Sequence, residues 1–172
     1  MYTVGILPPK PKAGTMPYLI DGHNLIGQLP DISLDDSNDE ALLVQKLIGF
    51  CARSGKTCVV VFDYGLPGGK SRMSTRAVQV VFASQRSTAD RVMLERIGKI
   101  KDPRNWTVVS SDSEVIETAK LRKMQTMTSP MFSDLLAAPP KKVIDAGEQV
   151  DVALSSEEVD EWMDFFSSSQ DK

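Results

Sequence analysis

One histidine and two cysteines are all that this chain of 172 residues offers in the way of soft or imidazole metal ligands. A lone His23 rules out a multi-histidine zinc site. Cys51 and Cys58 lack the C-x-x-C spacing of a metal knuckle and are too few for a disulfide framework. They read as reduced thiols of an intracellular core. Aromatics make up only 6% of the chain and form no ladder of the kind that stacks successive bases. The longest unbroken apolar run, Cys58 to Phe62, is far shorter than the roughly 20 residues a bilayer span needs, so no membrane partner is expected. Lys10 and Lys12 follow the first apolar stretch instead of preceding it, which is not the layout of a secretion signal. The expectation is a cytosolic chain with one main domain, large enough to bury about two-thirds of its unfolded surface.

Charge of either sign is plentiful, and its placement is uneven. The net charge is −3. Between Arg53 and Arg104, however, 11 Lys and Arg stand against four acids, a net +7, whereas the stretch from Asp145 to Lys172 carries −8. A basic middle suits a phosphate backbone, whose released counterions drive binding, although basic residues also simply solvate helix faces.

Periodicity organises the rest. Residues 1–16, with Pro8, Pro9, Pro11 and Gly14, read as a flexible leader. Residues 17–137 alternate apolar runs with helical patterns. Strands are predicted at Tyr18–Ile20, Thr57–Phe62, Ala77–Phe82, Trp106–Val109 and Met124–Thr128. Helices are predicted over Asn38–Arg53, after a Ser87 or Thr88 cap, after Ser113, and from Ser129-Pro130. Strands alternating with helices through short connections predict a doubly wound, mostly parallel α/β sheet of about five strands with helices on both faces. Residues 138–154 read as a linker. Residues 155–168 read as an amphipathic helix opened by Ser155-x-x-Glu158, its stripe of Val159, Trp162, Met163 and Phe166 covered either by the domain or by a partner protein.

The acids fall where such a sheet would use them. Ligands of open parallel sheets sit outside the carboxyl ends of the strands. Asp21 and Asp63 directly follow the first and second strands, Asp112 lies just past the fourth, and Asp90 opens the helix after the third. One aspartate at a strand end is usually a turn or cap residue. Four that converge repel one another, and a hard dication resolves that conflict. Mg2+ or Mn2+ takes oxygen ligands and retains waters, the basis of metal-assisted phosphodiester hydrolysis.

Taken in order, Tyr18-Leu19-Ile20-Asp21-Gly22-His23-Asn24, Val59-Val60-Val61-Phe62-Asp63, Thr88-Ala89-Asp90 and Val109-Ser110-Ser111-Asp112 resemble NYN domains of the PIN-like nuclease superfamily. Within it they resemble the YacP-like branch, as does Leu154–Val159 with Trp162. The likeness covers about residues 17–166. It implies a metal-dependent endoribonuclease acting on mRNA or another structured RNA, in a ribosomal setting by analogy with the family. Asp21, Asp63, Asp90 and Asp112 would form the metal site. Asn24 takes the family's Asn position, from which an amide holds a carboxylate or the scissile phosphate; it is equally placed to form an Asx-turn. Arg91 departs from the pattern, because relatives often carry a second acid there, and this leaves open whether one metal or two is bound.

Smaller signals surround this set. Gly68-Gly69-Lys70-Ser71 is not a phosphate-binding P-loop, because Tyr64 stands where the first glycine belongs. Lys70, Arg72 and Arg76 read instead as a basic flap for RNA phosphates, with Arg86 joining them. Ser110 and Ser111 are candidates for contacting a phosphate oxygen or the attacking water, or are a plain turn. His23 is a candidate general acid, or merely packed. Two rivals to a nuclease remain: a catalytically inactive RNA-binding or adaptor module of the same fold, and a phosphatase using an aspartyl nucleophile. The second wants an acid two residues after Asp21, where His23 stands.

Overall fold

The structure is a computed structural model that describes residues 16–64 and 73–139. Five strands, β1 (Tyr18–Asp21), β2 (Cys58–Phe62), β3 (Val78–Phe82), β4 (Thr107–Val109) and β5 (Gln125–Met127), form one sheet in the order β3-β2-β1-β4-β5, every pair parallel. The chain builds outward from β1 to β3, then returns to the far side of β1 to lay down β4 and β5. Both neighbours of β1 therefore start new crossovers in opposite directions. That reversal opens a crevice at the carboxyl edge between β1 and β4.

Five helices cover the two faces: α1 (Gly22–Ile26), α2 (Asp39–Ser54), α3 (Ala89–Lys99), α4 (Ser113–Leu121) and α5 (Ser129–Ala137). A 3-10 turn, Pro103–Asn105, leads into β4. Alternation along β1 divides the core. Ile20 joins Val60, Val109, Leu25, Leu43, Leu47, Phe50 and Phe132 under α1, α2 and α5, while Leu19 joins Val59, Val61, Val108, Met93, Ile97 and Val115 under α3 and α4. The central β2 is buried at every position, as its unbroken β-branched run requires. The helix predicted from Leu43, Leu47 and Cys51 is α2, and all three are buried. It ends at Gly55, whose φ of 68° and N–H bond to the Cys51 carbonyl make the left-handed cap that favours glycine. Cys51 and Cys58 are free and buried with Sγ atoms 3.3 Å apart; hydrogen bonding to Cys51 and burial push the Cys58 thiol up.

Three sequence expectations shift. The predicted cap of α4 moves back one residue, from Ser113 to Asp112, whose carboxylate accepts the Val115 N–H at 3.0 Å. The Gly22–Ile26 turn is helical, with Asp21 as its cap. Asn24 thus stands within a helical turn and not in an Asx-turn. Among the described residues no helix is long and apolar enough to cross a membrane. The described residues belong to a single unit, Met1–Pro140. The leader up to residue 15, Lys70 and Arg72 of the basic flap, the linker from residue 140 and the helix expected over 155–168 lie outside the described residues.

Candidate active site

Asp21 is the last residue of β1 and one of the few buried charged groups, 5% exposed. It stays there because its carboxylate caps α1, accepting the Asn24 N–H at 3.3 Å, and because the Ser110 hydroxyl donates to Oδ2 at 3.4 Å. Burial nevertheless outweighs those bonds. Together with repulsion from Asp90 and Asp63 it raises the Asp21 pKa to about 6.

The other three aspartates arrive from separate junctions. Asp63 leaves β2, and its Oδ1 accepts the Ala89 N–H at 2.6 Å, fastening the start of α3 to the end of β2. Thr88 caps the same helix through the Arg91 N–H, so Asp90 is delivered in its first turn. Burial raises the Asp90 pKa first, followed by repulsion from Asp112 and Asp63; a hydrogen bond with Asp21 pulls it down, and Glu114 pushes it up again. Asp112 caps α4, and its own N–H donates to Ser110 Oγ at 3.1 Å. Ser110, fully buried, therefore links Asp112 to Asp21 with a single hydroxyl. All four predicted aspartates lie at the carboxyl edge and sense one another electrostatically.

Asn24 sits at the hub of a second network. Its Oδ1 accepts the Ser111 N–H at 3.0 Å and the Ser129 hydroxyl at 2.5 Å. The Ser129 N–H in turn donates to Ser111 Oγ at 3.4 Å. The Ser111 N–H, which can only donate, fixes which end of the amide is which, and the Nδ2 group is left with no hydrogen-bond partner among the described residues. One side chain thereby ties together the ends of β1, β4 and β5.

His23 is held elsewhere. Its Nδ1 accepts the Asp63 N–H at 3.3 Å, which places the proton on Nε2, 3.2 Å from Glu40 Oε1. Both nitrogens are engaged, toward β2 and α2. Burial raises the Glu40 pKa, His23 lowers it, and Asp39 raises it.

The basic residues separate. Arg86 follows the carboxyl end of β3 and is exposed on the edge that carries the aspartates. Arg76, also exposed, lies in the turn before β3, where Thr75 and Val78 exchange hydrogen bonds at the opposite edge of the sheet. Other cations of the basic middle serve the fold: Arg53 lies 5.5 Å over the Phe50 ring and donates to the Leu136 carbonyl.

The sequence reading missed Ser129, Glu40 and Glu114. Glu40 and Glu114 looked like ordinary acids in first helical turns, and Ser129 like the start of α5. No local signal marks Ser129 as a partner of Asn24, 105 positions away.

The donor set is all oxygen, which suits a hard dication, and the repulsion between these acids is the state that a cation relieves. Among the described residues, no three Asp, Glu, His or Cys side chains form a ready-made metal cluster. The carboxylates share one crevice without closing on a common point.

The model of the YacP-like NYN domain matches residues 18–166. The uncharacterized protein YacP of Bacillus subtilis (strain 168) is 33% identical over 94 residues, 51% of this chain and 52% of that protein. The chain thus matches about half the length of that curated relative. The crystal structure of Rae1 (YacP) from Bacillus subtilis superimposes with a TM-score of 0.56 at 21% identity, covering 70% of this chain and 72% of that one. A point mutant of the same protein gives 0.57 at 20% identity over 70% and 74%. At that identity the structural likeness establishes the fold alone, a parallel α/β sheet flanked by helices. The family match extends over most of the chain, and the protein belongs to the YacP-like NYN domain family.

Proposed function

We propose that this chain is a Mg2+- or Mn2+-dependent endoribonuclease that hydrolyses RNA phosphodiesters at Asp21, Asp63, Asp90 and Asp112. The observation that carries the reading is the convergence of carboxylates delivered by four separate junctions to one edge of the sheet, where burial first and repulsion from Asp90 and Asp63 after it raise Asp21 to about 6. Capping by Asp21 and Asp112 and the Asp63–Ala89 bond serve the fold, but the crowding of the charges costs it stability. A cation site gains from that crowding.

When bound, the dication supplies an activated water and neutralises the leaving oxygen. The chain does the rest. Asp21 is the fixed member, oriented by Asn24 N–H and Ser110. Asp90, exposed in the first turn of α3, stands within hydrogen-bonding reach of it. Asn24 Nδ2, without a hydrogen-bond partner among the described residues, donates to a non-bridging phosphate oxygen, and the Ser111 hydroxyl makes a second such contact. Arg86 holds the backbone along the carboxyl edge, and Lys70 and Arg72 add their charge to the same grip. RNA as the substrate, mRNA or another structured RNA on or off the ribosome, rests on the family.

One observation favours a second reading, a non-cleaving RNA-binding module: the acids do not close into a three-ligand cluster. Cleavage of a structured RNA in Mn2+ by wild type and by Asp112→Asn separates the two. A nuclease loses at least about 100-fold in rate through this substitution. Equal residual cleavage by both proteins means a contaminant, and leaves the binding module. A phosphatase would need a phospho-aspartate trapped at Asp21; His23, two positions on, is instead engaged with Asp63 and Glu40.

A further inference from the structure

We infer that Ser129 is a positioning residue of this site, acting through Asn24 to keep that side chain's NH2 group facing the phosphate. The inference rests on the proposed nuclease reading for its consequence, but its geometry stands independently. Ser129 opens α5 directly after β5, has no exposed surface, and spends its hydroxyl on Asn24 Oδ1. Its backbone N–H goes to Ser111 Oγ. Nothing about capping demands this, because Thr128 already caps α5 through the Met131 N–H.

An asparagine amide is nearly symmetric in shape, and only its hydrogen bonds decide which end faces which way. Here two donors, Ser111 N–H and Ser129 Oγ–H, converge on Oδ1. A flipped amide would set its NH2 group against the Ser111 N–H, leaving that donor unpaired, would turn the Ser129 hydroxyl from donor to acceptor, and would present a carbonyl oxygen to an anionic substrate. Removing the Ser129 hydroxyl leaves the Asn24 amide anchored by the Ser111 N–H alone, one bond instead of two, and free to swing out of line. β5, which contributes none of the carboxylates, thus takes part in the site by steadying a group on α1.

Ser129→Ala is nearly isosteric, and Ser129→Thr retains the hydroxyl. RNA cleavage by Ser129→Ala is expected to fall about tenfold, the loss of one positioned hydrogen bond, with recovery of most of the rate in Ser129→Thr. In an Asn24→Ala background, Ser129→Ala is expected to cost nothing more, because the residue acts only through Asn24. An equal tenfold loss in that background overturns the inference. A readout free of catalysis is the pair of Asn24 side-chain amide resonances in 15N NMR of the full chain. They should be single and sharp in wild type, and doubled or broadened in Ser129→Ala while the Ser110 backbone resonance stays put. Unchanged Asn24 resonances overturn the inference even if the protein is a nuclease. Wild-type protein that cleaves nothing, with Asn24 resonances that still respond to Ser129, overturns the nuclease reading and leaves the positioning role intact.

Discussion

Ala89 donates its backbone N–H to Asp63 Oδ1 across 2.6 Å, so one candidate metal ligand is also the peg that holds α3 to the end of β2. Charge and shape at position 63 are therefore separable. Asp63→Asn keeps a carbonyl oxygen for Ala89 and removes the negative charge. Its melting temperature should stay within a few degrees of wild type while Mn2+-dependent cleavage falls at least about 100-fold. Asp63→Ala loses both and should also unfold earlier, by about 1–3 kcal/mol, the cost of an orphaned N–H. Thermal unfolding and cleavage assays run side by side test the split.

Burial of Asp21 has a sign that metal-free unfolding can check. Its pKa is raised from 3.8 to about 6 in the folded protein, so between these values the folded state binds the extra proton. Stability from this group is full below about pH 4 and is lost as pH rises toward 6, by about 3 kcal/mol in all. Urea unfolding in EDTA should therefore show Asp21→Asn gaining on wild type between pH 4 and pH 7. A constant difference across that range counts against a buried, repelled carboxylate.

Adding the cation should reverse that penalty. At pH 7, Mg2+ or Mn2+ at about 100 times its dissociation constant should stabilise the wild type by about 2.7 kcal/mol, visible as a higher melting temperature. Asp21→Asn and Asp112→Asn should respond far less, and chelation should restore the starting value. Calcium alone, with no shift from the smaller ions, would point away from an octahedral site.

Gly22 leaves no room for a side chain. A Cβ there would lie 2.3 Å from Phe62 Cε1 and 3.0 Å from the Val61 carbonyl oxygen. Gly22→Ala must displace a fully buried ring or lift α1 off β2, costing about 1–3 kcal/mol and moving Asn24 with it. Loss of stability in urea together with loss of cleavage is the expected pair.

The two arginines make opposite forecasts. Arg86→Ala, at the carboxyl edge, should weaken RNA binding and lower the slope of log affinity against log salt by about 0.7–1. Arg76→Ala, at the far edge, should leave the slope unchanged. Filter binding across a salt series distinguishes them.

Much of this was legible because the chain announces its strand ends. A β-branched run such as Cys58–Phe62 has one stable home, a strand buried on both faces, and the aspartate that follows must then emerge at the carboxyl edge. That rule places Asp21 and Asp63 at the edge directly, Asp112 two serines past its strand, and Asp90 through the helix that follows β3. Gly22–Ile26 escaped it because a single helical turn has too few residues to show a period. The Asp112 cap was assigned one residue late because Ser113 is chemically as good a cap. The Asn24–Ser129 bond escaped entirely: pairing over 105 positions is decided by which strand ends meet, and no window of sequence contains both. Arg76 looked like part of the flap because sequence distance to Asp63 is short, but the turn before β3 carries it to the other end of the strand.

The strand order β3-β2-β1-β4-β5 also governs when the site can come into being. Asp21 is made early, but Ser110, which steadies it, and Asp112 belong to the second half of the sheet. A growing polypeptide that has left the ribosome only as far as α3 already holds three of its four acids, yet the flank of β1 that β4 will occupy is bare. The full set of four acids therefore assembles late in synthesis, with the docking of the fourth strand, and a chain cut short before it lacks both Ser110 and Asp112.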